Sequence, residues 1–281
     1  MSASRVPVGR FAAALALVVG AWAVAHGVSG RLRWKELTPG IEFATLRGEP
    51  YCRAGSSTIA ILRLDPARVR LRVLHYTRLH RLHPLTSAGW LEYTSALAVF
   101  NAGQYYPDYS YMGLLVSGGK VVSAMPHPSF RAALVAEPTD SGRYAKARVL
   151  DLEKERIDPE HSKWREVAQS FMLFDTSGTP RVKRSDQVAN RTVIAEDDHG
   201  RIVVVTSEGG YTLWDIAQLL KAAPLGLRHA MAMDGGHEAQ LCVHAGGFRY
   251  ASFGRWPKDQ DQPQDADAQA PLPAVVAVVS R

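Results

Sequence analysis

The chain has 281 residues, enough for one large domain or two small ones. Its 46% hydrophobic and 21% charged residues are those of a globular protein and exclude a disordered one. The net charge of +6 is mild, and no basic run interleaved with aromatics marks a nucleic-acid groove, so no nucleic-acid partner is expected.

Arg5 and Arg10 precede Phe11 to Ala25, a run without a charge that ends in the small-x-small pattern Ala23-Val24-Ala25. This is the layout of a secretory signal. The run is short for a membrane-spanning helix, which needs about 20 residues. The expectation for residues 1–25 is export to the periplasm or the extracellular space. Either a cleaved signal or an uncleaved anchor tethering the chain to the inner membrane fits. Cys52 and Cys242 are the only cysteines. An oxidising compartment permits them to bridge, and two buried free thiols are the alternative.

Residues 26–57 read as a linker and a leading strand, polar through Pro39-Gly40. The runs 58–64 and 69–74 are strands separated by Asp65-Pro66, a turn former. His75, His80 and His83 follow with no zinc spacing, so no metal site is expected there. Residues 87–96 read as helical and lead into a short buried strand, 96–100, that ends at Asn101-Ala102-Gly103-Gln104-Tyr105-Tyr106-Pro107-Asp108. Ser117-Gly118-Gly119 marks a hairpin, and residues 147–152 a strand. Residues 164–169 are expected to form a helical turn. Two further hairpins are expected, 171–174 with 180–182 and 192–195 with 201–206.

One helix is well marked. Leu213, Ile216, Ala217 and Leu220 share a face, Thr212 and Asp215 make a capping box, and Pro224 and Gly226 close it. An apolar run, 229–233, then stops at Asp234-Gly235-Gly236. Residues 257–271 are acidic and Gln-rich and read as a mobile surface loop before a last buried strand, 274–279. Many strands and few helices predict an α+β fold, a mainly antiparallel sheet with helices packed against it in a single domain.

Asp234-Gly235-Gly236 by itself supports two readings. It is a hairpin turn signal, or it is a carboxylate at a sheet mouth beside backbone that a ligand can approach closely. The wider sequence bears on the choice. Asn101-Ala102-Gly103-Gln104 with the following Met112-Gly113-Leu114-Leu115-Val116 hairpin resembles the phosphodiester glycosidase family. Gln169-Ser170, Asn190-Arg191-Thr192, Ser207-Glu208-Gly209-Gly210 and Asp234-Gly235-Gly236 continue the resemblance in the family's order, over roughly residues 58 to 280. Two stretches depart from it. Gln-Ser-Gly-Pro is here Gln169-Ser170-Phe171-Met172, and the family's small residues after Asp-Gly-Gly are His237-Glu238-Ala239.

The resemblance implies that residues 58–281 form a hydrolase domain that cleaves a sugar 1-phosphodiester at the anomeric carbon, with a glycan or sugar phosphate as partner and no cofactor. Such a reaction benefits from a carboxylate at the anomeric carbon and a planar cation on the phosphate. Asp234 is the first candidate for the carboxylate and Glu208 the second, while Arg191 is the candidate anion contact. Asn101 and Gly103 at the first turn, and Gly235 and Gly236 at the second, are candidate substrate contacts. Tyr105 and Tyr106 are candidates for an apolar wall under a sugar ring, and His237 for a proton carrier. Each has a structural alternative: a turn cap for Asp234, a solvated loop for Glu208, a surface ion pair for Arg191, core packing for the tyrosines, a hydrogen-bonded structural histidine. Two other readings of the whole stand beside the enzyme. One is a non-catalytic glycan-binding envelope protein assisting exopolysaccharide or cell-wall metabolism, and the other a metal-dependent hydrolase using Asp234 and His237. Nothing in the sequence sets the oligomeric state.

Overall fold

The computed structural model describes residues 32–79, 81–140, 142–256 and 269–281. The 1–25 leader, His80 and residues 257–268 of the acidic stretch lie outside them. The chain opens with β1 (Lys35–Thr38), β2 (Ile41–Arg47), β3 (Ala54–Leu64) and β4 (Val69–His75), then helix α1 (Ser87–Thr94) and β5 (Ala98–Asn101). Two small hairpins follow, β6 (Gln104–Tyr105) with β7 (Tyr111–Met112) and β8 (Leu115–Ser117) with β9 (Lys120–Ser123). The middle is β10 (Ala132–Pro138), β11 (Ala147–Asp151), β12 (Trp164–Phe174), β13 (Thr192–Asp197) and β14 (Ile202–Gly210). Helix α2 (Leu213–Ala222) precedes β15 (Leu227–Ala232), β16 (Leu241–Ala245), β17 (Phe248–Ser252) and β18 (Ala274–Ser280).

Two sheets carry almost all of this. The larger runs β1-β2-β3-β14-β13-β15-β12-β10-β11, with β8 added on β12 and β9 on β8. The smaller runs β17-β16-β5-β18-β4. Neighbouring strands are antiparallel in both. Period-2 alternation divides each strand between two faces. On β4 and β18, Val69, Leu71, Val73, Val276 and Val278 turn inward and join Leu62, Ile194, Val204 and Met231 of the larger sheet in one core. On the far side of the smaller sheet, Val99, Val275 and Ala277 cluster with Trp90 of α1. On the far side of the larger sheet, Ile59, Val193, Val203 and Val205 cluster with Ile216, Ala217, Leu219 and Leu220 of α2. The capping expected for α2 is present, with Thr212 Oγ1 accepting the Asp215 N–H at 3.0 Å.

Several expectations need correction. Among the described residues two α-helices of 8 and 10 residues accompany eighteen strands, so the molecule is more sheet-dominated than the α+β reading supposed. Residues 164–169 are not a helical turn but the first half of the 11-residue β12. That strand is paired along both edges, with β10 on one side and β8 and β15 on the other. Its near-complete burial removes the alternation by which a strand is recognised. The polar segment before Gly40 already contains β1, whose Leu37 is buried. Residues 180–182 contribute only an isolated bridge, Phe174 to Pro180.

Both cysteines are free thiols. Cys52 Sγ donates to the Ala54 carbonyl at 3.3 Å, and buried Cys242 Sγ donates to Ser87 Oγ at 3.3 Å, so the two sit among different neighbours. Accordingly, thiol titration of the denatured, unreduced protein should count two reactive thiols, and reductant should leave the thermal midpoint unchanged. A count of zero would show the bridge instead.

Candidate functional site

The chain crosses from the larger to the smaller sheet between β15 and β16, and this crossing is the Asp234 segment. Met233 N still donates to Thr192 O at 2.9 Å, as a strand residue would. Then Asp234 leaves the sheet, and a single 3-10 turn, Gly236–Glu238, leads to Gln240 and β16. Asn101, at the end of β5 and fully buried, fastens the crossing at both ends. Its Nδ2 donates to the Asp234 carbonyl at 3.0 Å, and its Oδ1 accepts the Gln240 N–H at 3.2 Å.

The two glycines are needed for different reasons. Gly235 has an ordinary backbone conformation, but a Cβ there would lie 2.9 Å from Asn190 O and 3.0 Å from Arg191 Nη1. Gly236 has φ +68°, a region that disfavours side chains, and lies against the Trp256 indole, 2.5 Å from where a Cβ would be. Its N–H donates to Asn190 O at 3.0 Å. The turn is therefore fixed to the strand start that carries Arg191.

Asp234 is half-buried. Its Oδ1 accepts the Gly235 N–H at 2.9 Å. With the Gln104 amide oriented to satisfy both of its atoms, that side chain donates to Asp234 Oδ1 at 3.2 Å and accepts the Asp234 N–H at 3.3 Å. Burial, followed by the negative charge of Glu238, pushes the Asp234 carboxyl up to about 7, against the opposing pull of the Gly235 N–H and of Arg191. Burial also raises Glu238. Tyr105 and Tyr111, in edge contact at 5.8 Å between ring centroids, are both held neutral by burial. The Tyr105 phenol is affected by both Asp234 and Glu238, and Tyr111 by Asp234.

Arg191 is 7% exposed, at the start of β13. Its Nε donates to Tyr211 O at 2.9 Å and its Nη2 to Gln187 O at 2.6 Å, which leaves Nη1 toward the glycine turn. Its N–H donates to Ser207 Oγ at 2.8 Å. Among the described residues no carboxylate pairs with it within 4.0 Å, although Asp234 is near enough to act on it. Burial lowers it to about 10, so it is still a cation at neutral pH. The site thus combines a buried guanidinium held by carbonyls alone with a carboxyl that keeps its proton to near neutrality. That is an arrangement suited to an anionic ligand.

Asn101, Tyr105, Arg191, Asp234, Gly235 and Gly236 are therefore brought together, but not all in the expected roles. Asn101 holds the backbone with both ends of its amide. The Tyr105 hydroxyl donates to Ala274 O at 2.6 Å and lies 3.1 Å from Ala102 O. Gly103 makes room for Tyr111, whose hydroxyl would lie 2.2 Å from a Cβ there, so the structure gives it a packing role. Tyr106 is 47% exposed, beyond the pair formed by Tyr105 and Tyr111. His237 lies exposed on the 3-10 turn, and its carbonyl accepts from Gln240 Nε2 at 2.9 Å.

Glu208 is not brought to Asp234. It sits at the bulge between β14 and β3, accepts from Tyr250 OH at 2.8 Å and Ser56 Oγ at 3.1 Å, and is not among the groups that act on Asp234. The residues that the sequence reading missed are Gln104, Tyr111, Asn190 and Trp256, while Glu238 was noted there without a role. Gln104 directly follows Gly103, and Glu238 lies four residues after Asp234. Neighbourhood to a motif was the one available signal, and Trp256 had none.

Residues 94–279 match the family model described as phosphodiester glycosidase. No curated protein matches the sequence. Among solved structures the fold is similar to a hypothetical protein from Synechocystis, at 15% identity and TM-score 0.61, covering 90% of this chain. The chain spans 64% of the length of that protein. It is also similar to the catalytic domain of zebrafish N-acetylglucosamine-1-phosphodiester alpha-N-acetylglucosaminidase, auto-inhibited by its pro-peptide. There the identity is 17% and the TM-score 0.60, with 91% of this chain and 86% of that one covered.

The charge state of Asp234 should be visible in stability. An aspartate ionises near 3.9 in the unfolded chain and near 7 here, so between those values the folded state holds the extra proton. Stability then falls as pH rises through that window, and the deficit persists above it. Asp234→Asn should be more stable than the native protein at pH 8, by up to a few kcal/mol, on the order of 2–4. The advantage should vanish below about pH 4. Urea unfolding at the two pH values checks both the sign and the window.

Proposed function

The chain belongs to the phosphodiester glycosidase family and is a glycosidase-type hydrolase, and from that premise we propose that it cleaves a sugar 1-phosphodiester at the anomeric carbon. The observation that carries this reading is Arg191, a buried cation with no carboxylate paired to it among the described residues, facing the glycine turn beside Asp234. A phosphodiester brings one negative charge and the planar oxygens that a guanidinium fork accepts. The substrate would enter with its phosphate on Nη1 and its anomeric carbon toward Asp234.

Phosphate is a weak base as a leaving group, so a modest acid is sufficient. Asp234, protonated to near neutrality, can give its proton to the departing phosphate oxygen. Its ionised form then faces the positive charge that develops at the anomeric carbon. The zebrafish enzyme's name makes an N-acetylglucosamine 1-phosphodiester the first substrate to try. Export through the 1–25 segment would place the enzyme where envelope glycans are built and remodelled.

The non-catalytic glycan-binding alternative rests on the two stretches that depart from the family pattern, Gln169–Met172 and His237–Ala239. There Gln169 accepts the N–H groups of Leu114 and His127 and donates to the carbonyls of His127 and Phe130. Phe171 meets Phe130 edge-on at 4.5 Å between centroids. Gln169 keeps the family's residue and the altered Phe171 packs on the scaffold, while the altered His237–Ala239 turn brings a further carboxylate, Glu238, and both favour the enzyme.

Sugar release from a panel of sugar 1-phosphodiesters tests it. The native protein should turn over at least one member. Asp234→Asn should lose on the order of 10³-fold or more in kcat while remaining folded. Arg191→Lys keeps the charge and loses the fork, and should raise KM by roughly 10-fold or more. Undiminished turnover by Asp234→Asn would remove the carboxylate from the reaction.

A further inference from the structure

We propose that Glu238 is the second catalytic carboxylate of this site: it takes the proton of the attacking water while Asp234 gives one to the leaving phosphate oxygen. The inference rests on the sugar-phosphodiester reading above and adds the partner that Glu208 does not supply.

Placement is the first argument. Glu238 closes the 3-10 turn that begins two residues earlier, and that turn is fixed on every side. Gly236 N donates to Asn190 O, Ala239 N to Gly236 O at 3.2 Å, and Gln240 Nε2 to His237 O, while Trp256 covers Gly236. Ala239, next in the chain, is fully buried, and Glu238 itself is half-buried. A glutamate on a surface turn would ordinarily extend into water. Here it is kept in the low-dielectric site, and among the described residues no lysine or arginine pairs with it.

Convergence is the second argument. The buried Tyr105 phenol is affected by Asp234 and by Glu238 together, so both carboxyls act on one neighbour. Facing Asp234 are Glu238, Arg191, Tyr105 and Tyr111, and facing Glu238 are His237 and Tyr105. The negative charge of Glu238 is one of the groups that help hold the proton on Asp234. Two carboxyls whose environments separate their protonation are an acid and a base in waiting.

The step balances. The bond from the anomeric carbon to the phosphate oxygen breaks, its electron pair goes to that oxygen, and the oxygen takes the Asp234 proton. The water oxygen bonds to the anomeric carbon, and its proton goes to Glu238. Exchange with solvent then returns each carboxyl to its starting state. Water entering opposite the leaving group inverts the anomeric configuration.

The test uses Glu238→Gln in the full chain with a substrate that the native protein cleaves. The expected result is a kcat lowered by roughly 10²- to 10³-fold with little change in KM. The high-pH limb of the rate profile should move to lower pH, because the charge that opposes Asp234 ionisation is gone. A carboxyl carbon NMR titration of Asp234 should show the same movement without turnover. Formate should restore part of the rate of Glu238→Ala, and NMR of the first-formed sugar should show inversion. Native-like kcat and an unmoved limb in a folded Glu238→Gln would overturn the proposal, as would a retained configuration. In both cases the sugar-phosphodiester reading would stand. A native protein that releases no sugar from the panel would overturn both.

Discussion

The whole arrangement depends on one buried amide. Asn101 ends β5 in the smaller sheet, yet both ends of its side-chain amide bind the chain arriving from the larger one. One end holds the Asp234 carbonyl and the other the Gln240 N–H, so the two ends of a seven-residue crossing are fixed relative to each other by a single rigid plane. A buried polar group of this kind stabilises only when all its partners are in place, and leaves costly orphans when it is not. The same contact that joins the sheets therefore sets the position of Asp234. Fold and site share a hinge point.

The second constraint runs against stability. Arg191 is buried with carbonyls as its acceptors, and Asp234 beside it is buried enough to keep its proton. A protein selected for stability alone would have moved these groups together into a close ion pair or replaced them with apolar residues. They are instead left without a close ion pair, and Gly235, lacking a side chain, leaves Nη1 uncovered on its side. Such local conflict between neighbours that could neutralise each other is typical of sites kept ready for a ligand.

How far the sequence disclosed this follows from the range of each signal. Local signals were clear. The helix face of Leu213, Ile216, Ala217 and Leu220, the Thr212 cap, and the glycines of the 117–119 turn all act within a few residues, and all are found. So is the strand that stops at Asp234. Signals that depend on distant neighbours were not clear. β12 reads ambiguously because it is covered on both faces by elements from elsewhere in the chain. Glu208 adjoins one glycine pair and Glu238 lies two residues beyond another, and only the tertiary structure separates them. A bulge turns Glu208 toward Tyr250 and Ser56, while a 3-10 turn keeps Glu238 beside Asp234. Trp256 reaches Gly236 from a loop after β17, a contact no spacing rule encodes.

A perturbed carboxyl alone would not have identified the site, and the molecule contains its own control. Glu166 on β12 is also buried and is also pushed up to about 7 by that burial. Its Oε2, however, accepts the N–H groups of Val73 at 3.0 Å and Gly118 at 3.1 Å, joining β4 to the β8–β9 turn. Among the described residues no buried cation lies beside it, and both of its hydrogen-bond partners are backbone N–H groups, so its perturbation goes with holding two segments together. Asp234 has a comparable shift in a different setting: a guanidinium with an open edge, a second carboxyl, and a turn kept clear of side chains. Perturbed titration marks a candidate. What distinguishes Asp234 from Glu166 is the buried guanidinium beside it, whose Nη1 faces the glycine turn where the proposed phosphate would sit.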